Sequence, residues 1–198
     1  MLDDVWETPS HFRSFHQRGF IDFADPIVVH SVGGWGAMME AALLGSKFGK
    51  YDSQGNPGPI SGHNIPLAAL GAFILWFGWF GFNGGSTFAG TNGAIGMIIL
   101  NTNLAAASGA LAMMITVWLH FGKPGASMTM NGALSDPIAI TAPCAVVSPV
   151  SSLIIGAIGG MIVVFSVEFF DKVLKIDTPS VPYLSTVSTV PGERKKAM

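Results

Sequence analysis

Pro66-Leu67-Ala68-Ala69-Leu70-Gly71-Ala72-Phe73-Ile74-Leu75-Trp76-Phe77-Gly78-Trp79-Phe80-Gly81-Phe82-Asn83-Gly84-Gly85 decides the fold class. The run carries no charged side chain. As one helix, about 20 such residues rising about 1.5 Å each cross the roughly 30 Å hydrocarbon layer of a bilayer. Four more apolar segments of similar reach, at 23–44, 94–121, 127–147 and 149–170, surround it. Between the first two lies Tyr51-Asp52-Ser53-Gln54-Gly55-Asn56-Pro57-Gly58-Pro59, whose glycines and prolines break a helix and predict a solvent loop. The pattern predicts an all-α, polytopic membrane protein with about five transmembrane helices.

Composition agrees. Of 198 residues, 49% are hydrophobic and only 11% charged, against about 25% charged in an ordinary soluble domain. A net charge of −2, with no basic patch interleaved with aromatics, argues against nucleic acid as a partner. Cys144 is the single cysteine, which excludes an intrachain disulfide and a cysteine-based metal cluster. The first twenty residues show no apolar stretch after a basic start, so no cleavable signal peptide is expected.

Charge placement sets the expected orientation, because cytoplasmic loops carry the excess of Lys and Arg. With alternating spans, Lys47, Lys50, Lys123, Lys172, Lys175, Arg194, Lys195 and Lys196 fall on one side, and Arg13 and Arg18 alone on the other. The N-terminus is therefore placed outside and the C-terminus inside. Small residues recur at helix-packing distance in Gly33 with Ala37, Gly81 with Gly85, and Gly156 with Gly160.

Asp22 and His30 stand at the head of the first span. Ionisable groups in a bilayer are usually functional, since an Asp at mid-span costs about 2.5 to 3.5 kcal/mol on insertion scales. Two readings of each remain open. Asp22 either shapes a pathway or simply caps the helix, as Asp favours both the N-cap and the positive end of the helix dipole. His30 is either a pathway residue or a hydrogen-bonded packing residue, and Trp79 and Phe82 taken alone would be ordinary core aromatics.

Asp22-Phe23-Ala24 with Val28-Val29-His30 resembles a signature of the ammonium transporter family, which includes the Rhesus-type proteins. Ser61-Gly62-His63-Asn64-Ile65-Pro66, Trp76-Phe77-Gly78-Trp79-Phe80-Gly81-Phe82-Asn83-Gly84-Gly85-Ser86, Gly122-Lys123-Pro124 with Asn131-Gly132-Ala133, and Thr141-Ala142-Pro143-Cys144 follow in the family's order. The resemblance implies a fold of eleven helices in two inverted repeats, a homotrimer in the plasma membrane, and a pore between the repeats. The chain is expected to be a fragment holding the fifth to ninth helices, with a divergent segment at 1–19, a partial transporter domain at 20–177 and a non-family tail at 178–198. No cofactor and no metal is implied, and the chain is expected not to be an enzyme.

The resemblance also assigns roles. Phe82 matches a gating phenylalanine and Ser86 a cation-binding serine, with Trp79 one turn away in the same vestibule. Asp22 matches an aspartate near the outer mouth, and His30 the first of two paired pore histidines that relay a proton. Eight helical residues separate Asp22 from His30, about 12 Å, which suits a mouth and a midpoint. Ammonium and potassium are alike in size and charge, so removing a proton and passing neutral ammonia through an apolar channel gives selectivity. A neutral imidazole donates at one nitrogen and accepts at the other, as such a relay requires.

The chain departs from the family in three places. The second pore histidine has no counterpart, since no His follows His120. Back-translated with permitted codons and read one base out of frame from near codon 177, Thr178 to Glu193 can spell a peptide that resembles the family's tenth helix, and resequencing tests whether the codons do so. Asp25-Pro26 and Ser135-Asp136-Pro137 replace small residues, with Asp136 expected to lack a partner and Pro137 to kink its helix. The expected function is ammonium/ammonia transport through a hydrophobic pore, by a fragment inactive alone. The alternative is a non-conducting remnant or a packing partner of intact subunits.

Overall fold

The computed structural model describes residues 22–177 other than Pro59 and Ser61. The segment at 1–19 and the tail at 178–198 lie outside the described residues, as does the frame-change reading of the tail. The described chain is helical. A π-helical turn (Ile27–Ser31) runs directly into α1 (Val32–Leu44), followed by α2 (Ile65–Gly85), α3 (Ile95–Phe121), α4 (Ala126–Thr141) and α5 (Pro149–Glu168), which ends in a second π-helical turn (Phe169–Leu174).

Five helices stand where five spans were expected, with altered bounds. Ile65–Gly85, Ile95–Phe121 and Pro149–Leu174 are long and apolar enough to cross a membrane. The first helix begins at Ile27 rather than at residue 23, because Phe23 is drawn off to α4, donating its N–H to the carbonyl of Ala142 at 3.0 Å. The fourth ends at Thr141 rather than at residue 147. Pro143 has no N–H for a further helical turn. The Asn101 amide on α3 then donates to the carbonyls of Cys144 and Val147, each at 2.9 Å, and holds the connection to α5. Pro137 lies within α4, which continues through it to Thr141.

Local chemistry starts the helices where they start. The Asn64 side chain accepts the Leu67 N–H at 2.9 Å, with Pro66 in the first turn where its missing N–H costs nothing. Ser148 repeats the device for α5, accepting from Ser151 N–H with Pro149 as the first residue. Asp25 has φ 53°, a left-handed conformation that Asp tolerates better than most residues, and Pro26 follows at the helix start. The Asp25-Pro26 departure is thus accommodated by a turn.

α3, α4 and α5 pack against one another, and α2 rests on α3 and α4. Met113, Val117, Met128, Val164 and Val167 fill one end of the three-helix core, and Ile98, Ala105, Ile140 and Cys144 the other. Of the three small-residue pairs, Gly156 with Gly160 forms a seam. A Cβ on Gly156 would lie 2.3 Å from the Ala105 carbonyl oxygen, and one on Gly160 would lie 2.5 Å from that of Gly109. Gly33, Gly81 and Gly85 face open space within the described chain, so their spacing is not used here.

The loop after α1 is more tightly held than a solvent loop. Lys50 is buried and pairs with Asp171 at 2.7 Å, Lys47 N–H donates to Asp177 at 2.9 Å, and the Tyr51 hydroxyl donates to the Asp171 carbonyl at 3.3 Å. The exposed His120 meets Glu168 at 3.0 Å. The C-terminal ends of α1, α3 and α5 therefore share one end of the bundle. This is the end where Lys47, Lys50, Lys172 and Lys175 collect.

Candidate functional site

The other end of the bundle carries the start of the first helix, the end of α2 and the end of α4. There His30, in the first π-helical turn, lies face to face with Trp79 of α2, ring centroids 5.8 Å apart and planes 20° apart. Phe82, one turn along α2, presents its ring edge-on to the same imidazole at 5.7 Å and 84°. Such π-helical turns are rare and frequently occur at functional sites. His30 also borders a cavity of about 290 Å³ lined with Pro26, Ile27, Ser31 and Ile138.

The imidazole is held by rings rather than by hydrogen bonds. Its Nδ1 is buried with no hydrogen-bond partner among the described residues. Trp79 is fixed from behind: its indole N–H donates to the Thr141 hydroxyl at 3.3 Å, and that hydroxyl donates in turn to the Pro137 carbonyl. A buried Trp needs an acceptor for its N–H, and Thr141, itself fully buried, supplies one. Asn83 anchors α2 to α3 by donating to the Thr102 hydroxyl at 2.9 Å.

Ser86 caps α2 one turn beyond Phe82 and donates its hydroxyl proton to the Phe82 carbonyl at 2.7 Å. That leaves the lone pairs of the oxygen as its outward-facing hydrogen-bonding capacity. Asp22 precedes the π-helical turn and accepts the Ile27 N–H, at the start of that turn, through Oδ2 at 3.2 Å. Its Oδ1 is buried without a hydrogen-bond partner. The structure thus brings His30, Trp79 and Phe82 into one cluster, hangs Ser86 on the end of the same helix and sets Asp22 at the head of the turn that bears His30. Thr141 and Asn83 were not singled out in the sequence. They lie inside the blocks Thr141-Ala142-Pro143-Cys144 and Trp76 to Ser86, and the indole's need for an acceptor is the signal that exposes Thr141.

Asp136 lies apart from this cluster, fully buried in α4 between two glycines. A Cβ on Gly109 of α3 would lie 1.2 Å from its Oδ2, and one on Gly159 of α5 2.2 Å from its Oδ1. Neither oxygen has a hydrogen-bond partner among the described residues, as the sequence led us to expect. No group of three or more His, Cys, Asp or Glu side chains that could hold a metal ion occurs among the described residues.

A helical bundle with three apolar, membrane-length helices, which sets a half-buried imidazole among aromatic rings, defines a multi-pass integral membrane protein. The profile of the Ammonium Transporter Family matches residues 5–181, and the chain belongs to that family. Ammonium transporter Amt2 of Archaeoglobus fulgidus is 51% identical over 154 residues, covering 78% of this chain and 33% of that protein. An ammonium transporter of Aquifex aeolicus is 40% identical over 149 residues, covering 75% and 33%. Among solved structures, a sensor Amt protein superposes with a TM-score of 0.79 at 44% identity, covering 86% of this chain and 41% of that one. Mep2 of Candida albicans gives 0.72 at 30%, covering 85% and 36%. The chain spans about a third of the length of the curated relatives it matches.

Proposed function

We propose that this chain forms one wall of a conduction path for ammonium and ammonia. The observation that carries the reading is the placement of His30, stacked on Trp79, edged by Phe82 and bordering a cavity. Aromatic faces attract a cation at about 0.5 to 2 kcal/mol per ring. The Ser86 oxygen, its own proton engaged, accepts an N–H, and His30 takes up and passes on the proton that neutral ammonia leaves behind. Its buried Nδ1 suits a hydrogen bond to a second imidazole, the pairing that the family resemblance implies. Asp22 stiffens the mouth through its contact with Ile27. The proposal extends to a homotrimer in the plasma membrane.

The wall is incomplete by itself. α1 and α2 expose Trp35, Leu43, Phe73 and Phe77, at 65% or more each. Further helices, from a longer protein or another chain, would complete the path, so the chain alone does not conduct. The same exposed faces favour the second reading, a non-conducting partner that packs on intact subunits.

Methylammonium uptake separates the two. The chain is placed in proteoliposomes alone, and also as a chimera replacing the matched third of Archaeoglobus fulgidus Amt2. The chimera conducts and the chain alone does not, and His30→Ala lowers uptake by about a hundredfold or more, the scale of a lost proton-transfer group. Undiminished uptake by folded His30→Ala would reject the relay.

A further inference from the structure

We infer that Thr141 is a positioning residue of the site: through one directed hydrogen-bond chain it sets the indole of Trp79, and through that ring the imidazole of His30. The functional consequence rests on the conduction reading above; the positional claim does not.

The argument starts from what each group can do. An indole N–H only donates, so its partner must accept. A hydroxyl both donates and accepts, and Thr141 sits where its own proton has a fixed destination, the Pro137 carbonyl one helical turn back. With that proton committed, a lone pair faces Trp79 and takes its N–H at 3.3 Å. Both residues are buried, Thr141 completely and Trp79 to 5% exposure, so water does not substitute readily for either partner.

His30 has no comparable hydrogen-bonded anchor. Its Nδ1 is unpaired among the described residues, and its recorded ring contacts are the stack with Trp79 and the edge of Phe82. The ring is therefore oriented mainly by aromatic surfaces, and the larger of these is pinned by Thr141. α4, which contributes Ile138 to the cavity lining, thereby acts on the His30 ring through Trp79. Ser at position 141 preserves the whole chain of hydrogen bonds. Val, of similar shape, removes it.

The test uses the full chain in nanodiscs, as Thr141→Val, Thr141→Ser and Thr141→Ala, with the Trp79 indole and His30 ring signals assigned by Trp79→Phe and His30→Gln. Two quantities are read by NMR: hydrogen exchange of the Trp79 indole proton and the ring resonances of His30. In Thr141→Val the indole proton exchanges about three- to tenfold faster, the range that one net hydrogen bond supports. The His30 resonances shift, and Thr141→Ser restores both. Thr141→Ala gives the same result if the valine variant does not fold. His30 resonances unmoved in the folded Val or Ala variant, or unrestored by Ser, overturn the inference. Methylammonium uptake by the same variants in the Amt2 chimera separates the two claims: His30 resonances that shift while uptake stays at the parent level support the positioning role and reject the proton relay through His30.

Discussion

Nζ of Lys50 stands 2.7 Å from Oδ2 of Asp171, and the two side chains are unequally buried, at 1% and 21% exposure. The inequality predicts unequal costs. Asp171→Ala strands an ammonium in a dry site and lowers stability by about 3 kcal/mol, whereas Lys50→Met leaves a carboxylate that water still reaches and costs about 1 kcal/mol. Thermal unfolding in detergent compares them. Equal losses would show that Lys50 is better solvated than its burial indicates.

Asp136 makes the opposite case. Its two carboxyl oxygens are buried with no hydrogen-bond partner among the described residues, so Asp136→Ala removes a penalty rather than an interaction. The expected gain is about 1 to 3 kcal/mol, while Asp136→Asn, which keeps unpaired polar atoms, gains much less. A destabilised alanine variant would reveal a partner for the carboxyl group.

Glycines at equal spacing are expected to differ by position. Gly156→Val drives a side chain into the Ala105 carbonyl and the Ser108 hydroxyl, each 2.3 Å from where its Cβ would stand. It should separate α3 from α5 at a cost of about 3 kcal/mol or more. Gly33→Ala meets nothing within 4 Å and should leave stability unchanged or raised by up to about 1 kcal/mol through helix propensity. Melting temperatures of the two variants decide between a seam and a mere spacing.

Tyr51 provides a pH test outside the membrane. Its burial, with the negative charges of Asp171 and Asp177 as secondary causes, pushes the phenol up to about 12 from the usual 10.0. Because the folded value is raised, its stabilising contribution is complete below about pH 10 and is lost as pH rises through about 12. Tyr183→Phe leaves Tyr51 as the only tyrosine. Phenolate absorbance should then appear near 12, and a midpoint near 10 would show the loop detached from α5.

Much of this architecture was legible in the sequence. Hydropathy and length located all five helices, since burying apolar surface in lipid needs no knowledge of neighbours. The ends of the first and fourth were misplaced because they depend on distant partners: Phe23 turns toward Ala142, and Asn101 collects the carbonyls after Pro143. Motif order brought out His30, Trp79 and Phe82, which the fold assembles around one ring. Thr141 escaped notice because a hydroxyl in an apolar helix has no signature until its indole partner is seen across the bundle. Small-residue spacing proved ambiguous for a similar reason. It records that two backbones can approach, and only the packing of α3 beside Gly156 shows that they do.

The pairing of Lys50 with Asp171 bridges 121 positions in the chain. During synthesis the amine emerges long before its counter-ion exists, and the pair can form only once α5 has been threaded and its end exposed. Closure of that strap therefore follows the threading of α5, a built-in report that the first and last described helices have come together.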